Sequence, residues 1–81
     1  MELKDTIELM TSEDYKDRFK AEYYQLQIRA KKLHNIIIKH EAGTLEFELK
    51  CPINVLHEQL NNMERYKWAM EVRAEHEKIE L

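Results

Sequence analysis

Between Arg29 and Lys39 the chain reads RAKKLHNIIIK, which carries Arg29, Lys31, Lys32, His34 and Lys39 without one acidic residue; His40 follows directly. In a chain of net charge -3 this is a local concentration of positive charge. Further along stand Asn61, Asn62 and Arg65, with Tyr66 and Trp68 beside them. Cations, amides and an aromatic face together could hold a phosphate and stack a base. The residues expected to carry anion, nucleotide or partner binding are therefore Arg29, Lys32, His34, Lys39 and Arg65. The competing reading is a solvated basic face whose cations complement the negative end of a helix.

Other chemistry finds little support. His34 and His40 are six apart and do not share a helical face, His57 lacks the second histidine of a zincin pair, and His76 is remote. Two histidines on one helix usually bind a metal at a separation of four, so no metal is expected. Glu46 with Glu48, and Glu75 with Glu77, are close in sequence, but raising a carboxylate pKa for acid–base work needs a dry pocket. The one cysteine, Cys51, excludes an internal disulfide and fits a reducing compartment. There is no Ser/His/Asp set, Gly-rich loop or Cys/His pairing. The expectation is a binding protein, not an enzyme, with no cofactor.

The elements that must position these residues are helices. The 81 residues allow one domain, 36% of them are charged, and there is a single Gly and a single Pro. Such composition suits long helices and starves a sheet of turns. The acidic balance argues against a general nucleic-acid coat. The N-terminus MELKDTIELM has no continuous apolar core, so no signal peptide is read there, and no apolar run approaches a membrane span. The expected setting is the cytoplasm, with no membrane contact.

Residues 1–10 read as an N-terminal arm or short helix. Thr11 or Ser12 is expected to cap a first long helix over 12–42, with Glu13, Asp14 and Asp17 favouring its positive end. Tyr15, Phe19, Tyr23, Leu26, Ala30, Leu33 and Ile37 follow at spacings of three and four, which makes one continuous apolar stripe. Gly43 can supply the left-handed residue that closes the helix. In the connector, 43–51, Leu45, Phe47 and Leu49 alternate with charged residues, so it reads as an extended edge capping the end of the helix pair. Pro52 opens a second helix over 52–79, with a stripe of Leu56, Leu60, Met63, Met70 and Ala74, interrupted by Lys67 and widened by Tyr66 and Ala69. Two long helices with a short connector give an all-α antiparallel hairpin.

One hairpin has one seam, and Tyr24, Ile28, Ile36, Ile38, Trp68 and Val72 do not belong to it. A tryptophan and three isoleucines left over in so small a chain predict a homo-oligomeric helical bundle with these six at the interface. The alternative is that the N-terminal arm folds back and covers them.

The stretches DYKDRFKAEYYQL, EAGTLEF, CPINVLHEQL and EVRAEHEKIEL resemble a family of short phage and prophage proteins grouped as relatives of a small crAss-like phage protein. The resemblance spans about Thr11 to Leu81. It implies a phage origin and a helical hairpin, and it carries over no catalytic residue. Small phage accessory proteins often act in counter-defence, either by blocking a host immune protein, as anti-CRISPR proteins do, or as oligomeric sponges for immune signalling nucleotides. By that analogy the expected partners are other copies of the chain and a host defence protein or a small signalling nucleotide. The rival function is a structural or assembly protein of a phage particle or replication complex, with the basic strip incidental.

Overall fold

The computed structural model describes residues 1–81, and every regular element in it is helical. A 3-10 turn, Leu3–Thr6, runs into a short helix α1, Ile7–Met10; the two long helices are α2, Tyr15–Ala42, and α3, Ile53–Glu77. At about 1.5 Å per residue, the 28 residues of α2 account for the longest dimension of the molecule, 43 Å.

α2 starts three residues later than the expected 12–42. Its cap is Asp14, whose carboxylate accepts from the Lys16 N–H at 2.9 Å. Ser12 serves the turn before it: its hydroxyl accepts from the Asp14 N–H at 3.1 Å and donates to Asp17 at 2.8 Å, while Arg18 donates to its carbonyl at 2.6 Å. A capping carboxylate satisfies a free N–H of the first turn, and the serine network fixes the chain that enters it. At the far end Gly43 adopts φ 76°, and the N–H groups of Gly43 and Thr44 return to the carbonyls of His40 and Lys39, as expected.

α3 ends at Glu77, two residues short of the expected 52–79. Lys78 takes the left-handed conformation at φ 58°, and the Ile79 N–H bonds the Ala74 carbonyl at 2.9 Å. A non-glycine residue pays about 1 kcal/mol for that conformation. The offsetting gain is visible: the reversal returns Ile79 to the core, where it is buried in one cluster with Phe19, Tyr23, Met70 and Ala74. Contact between the residue after the reversal and the last helical turn is the usual companion of this cap.

α2 and α3 run side by side in opposite directions. Glu41 at the end of α2 meets His57 in the first turns of α3 at 2.9 Å, the Tyr23 hydroxyl donates to Glu71 at 2.9 Å, and the Arg73 guanidinium lies 4.8 Å from the centre of the Phe19 ring. Along the seam Phe19, Tyr23, Ala30, Ile37, Met70 and Ala74 are buried, whereas Leu26, Leu33, Leu56, Leu60 and Met63 are only half-buried. Tyr15, Tyr66 and Ala69, expected on the stripes, are exposed. The connector forms bends rather than an extended edge, and Leu49 and Cys51 line a cavity with Leu33, Ile36 and Leu56 at the end of the helix pair.

The N-terminal segment lies against α2. Thr6 is fully buried; its hydroxyl accepts from the Gln25 amide at 2.9 Å and donates to the Leu3 carbonyl at 2.7 Å. Two substitutions test the C-terminal reversal by urea denaturation. Ile79→Ala should cost about 2–4 kcal/mol, as for a core truncation, and Lys78→Gly should stabilise by up to about 1 kcal/mol.

Candidate functional site

The residues expected to bind an anion do not converge. Arg29, Lys32, His34, Lys39 and Arg65 are all exposed, and no ion pair joins any of them to another group. The reason is helical geometry. At 100° per residue, Lys32 and Lys39, seven apart, share one side of α2, and Arg29 is one turn before Lys32 on a neighbouring side. His34, two residues after Lys32, faces nearly the other way. Arg65 stands on α3. The part of the set that can act together is Arg29, Lys32 and Lys39, and Lys32 also lines a cleft with Met1, Glu2, Leu3, Lys4 and Ile28.

The six residues expected at an interface separate too. Ile28 lies against the N-terminal segment in that cleft, and Ile36 lies against the connector. Tyr24 packs on the core cluster, its ring edge-on to Tyr23 at 5.9 Å between centroids. All three are half-buried, so the folded-back arm and the connector each cover a part of the leftover apolar surface. Ile38, Trp68 and Val72 stay open, at 51%, 67% and 39% exposure.

A concave site that the basic strip did not suggest lies along one side of the seam. Leu26 and Met63, half-buried, line it together with Val55, Glu58, Gln59, Asn62 and Tyr66, all exposed. Its volume is about 430 Å³, within the usual range for small-molecule sites. Its lining, apolar with a few polar groups, is also of the kind that receives another helix. A signal for it was present in the sequence: Val55, Gln59, Asn62, Tyr66 and Ala69 repeat at spacings of four and three beside the main stripe.

The Sequestin family model matches residues 13–76, from the approach to α2 almost to the end of α3. The chain belongs to the Sequestin family. The match takes in α2, all of α3 but Glu77, the connector, the groove and the whole basic strip, and leaves out the N-terminal segment and Ile79. No curated protein and no solved structure matches the chain. No helix is long and apolar enough to cross a membrane.

The strongest perturbation of a titrating group within the Sequestin region is at Tyr23. Burial, and then its hydrogen bond to the Glu71 carboxylate, push the phenol from 10.0 up to about 12. Tyr15 is raised in the same sense by loss of solvent and by Glu77, while Arg73, hydrogen-bonded to Glu77, lowers the Glu77 pKa. The folded state thus holds the Tyr23 proton more tightly than the unfolded chain does. Its contribution is complete below about pH 10 and fades as pH rises towards about 12. Denaturation across that range should show stability falling with pH, and Tyr23→Phe should flatten the fall and remove the latest phenol from an ultraviolet titration.

Proposed function

We propose that this protein is a phage-encoded counter-defence factor that works by sequestration: it binds an immune signalling nucleotide of the infected host and releases it unaltered. The observation that carries this reading is membership of the Sequestin family over residues 13–76, since the family name denotes sequestering and the match contains α2 and all of α3 but Glu77. The basic strip supports an anionic ligand. Arg29, Lys32 and Lys39 carry no ion-pair partner within the chain, so their charge is available to phosphate groups. His34 is left out of this set because it faces nearly the other way on α2, and Arg65 because it stands on α3.

Sequestration calls for stoichiometric binding, not turnover, and fits a chain whose surface offers shallow grooves. It also fits self-association of helical hairpins into a bundle, since a site closed by two copies can hold a ligand that one open surface cannot. The open Trp68, at 67% exposure, favours a second target class, a host defence protein blocked by direct contact.

Calorimetry of the purified protein against cyclic and ADP-ribose-type nucleotides tests the first reading. Saturable binding is expected for at least one of them, with the nucleotide recovered chemically intact. Arg29→Ala and Lys32→Ala should each weaken it by about 10-fold, as for loss of a charge-assisted contact. Heat-free titrations across the whole panel, combined with capture of a host protein that depends on Trp68, would move the function to the second class.

A further inference from the structure

We propose that the α2–α3 groove is the seat of a second copy of this chain, with the α3 helices of the two copies crossing it antiparallel about a two-fold axis near Asn61. The inference rests on the self-association put forward above and fixes the face, which is not the one that carries Trp68.

Area is the first argument. The chain exposes 6295 Å². A compact monomer of 9.9 kDa exposes about 5,200 Å² by the usual scaling, so this one leaves roughly 1,100 Å² more open. A standard interface removes about 800 Å² from each partner. The excess is therefore the size of one interface.

Pattern is the second. The stripe Val55, Gln59, Asn62, Tyr66, Ala69 has heptad spacing and stands apart from the seam stripe of Leu56, Leu60, Met63, Met70 and Ala74. Val55 is 46% and Tyr66 48% exposed, although both line an apolar groove. Laid antiparallel on itself, the stripe is self-complementary. Tyr66 meets the partner's Val55, and Asn62 meets the partner's Gln59. By symmetry each contact occurs twice, so the apolar layers lie outside and the amides pair at the centre.

Charge is the third. Glu58 and Arg65 are seven residues apart, hence on one flank of that stripe, and both are exposed without an ion-pair partner in the chain. In the antiparallel register Glu58 lies beside the partner's Arg65 and Arg65 beside the partner's Glu58. In a parallel pair the same flank of the two helices falls on opposite sides of the contact, so neither residue would meet its complement. The flank therefore selects the orientation, as charged flanking positions do in coiled coils.

Native mass spectrometry and sedimentation equilibrium of the full chain test this, with circular dichroism confirming that each variant is helical. The native protein should be a dimer or an assembly of dimers. Glu58→Arg and Arg65→Glu should each weaken dimerisation by about tenfold or more, and the double reversal should restore it to within about threefold of native. Trp68→Ala should leave it unchanged. If the double reversal stays as weak as the single ones, or if Trp68→Ala alone gives monomers, this face is wrong while self-association stands. A native chain that is monomeric at every concentration overturns both.

Discussion

Two helices side by side can each bury only one stripe, and nearly every feature of this molecule follows from that restriction. The seam takes Phe19, Tyr23, Ala30, Ile37, Met70 and Ala74 out of water, yet only nine of the 81 residues are buried. Everything added to the pair enlarges that small core. The N-terminal segment covers the Ile28 side of α2, the connector folds against Leu33 and Ile36, and the reversal at Lys78 brings Ile79 home. Each addition is local in sequence to the helix that it covers. None reaches the groove of Leu26, Val55, Met63 and Tyr66, which is why that surface stays open.

The seam was legible because spacing of three and four has one physical meaning in so long a run. It failed at Tyr15, the first residue of α2, which stays 47% exposed at the end of the pair. The start of α2 lies three residues beyond the expected one because Thr11, Ser12 and Asp14 are all competent caps. The choice among them depends on Asp17 and Arg18 closing a network around Ser12. The early end of α3 had no compositional marker, since a lysine rather than a glycine takes the left-handed position. What decides it is burial of Ile79, a tertiary effect.

The candidate site was less legible than the fold for a related reason. A run of basic residues looks like a patch on paper, but eleven consecutive positions wind about three times round a helix. Lys32 and Lys39 hold a common side with Arg29 on the neighbouring one, whereas His34 faces nearly the other way and Arg65 stands on the other helix. The six off-seam residues share only their absence from the seam, and the arm and the connector divide them by covering Ile28 and Ile36. The groove was visible in the α3 spacing, but its meaning needed the position of α2 beside it.

The way in which Thr6 is pinned to Gln25 carries a consequence for how the molecule comes into being. Because the N-terminal segment docks on α2 alone, its contacts close over short loops and need nothing from α3. Such contacts are the cheap ones in chain entropy and the early ones in time. As the chain leaves the ribosome, this half can adopt its final shape while α3 is still being made. The stripe from Phe19 to Ile37 then waits in the open for α3, and the antiparallel return past a short connector makes the helix of the same chain the nearest competitor for it. A neighbouring nascent chain would have to win that contest against a tethered rival, so the short connector itself guards against exchange of helices between molecules.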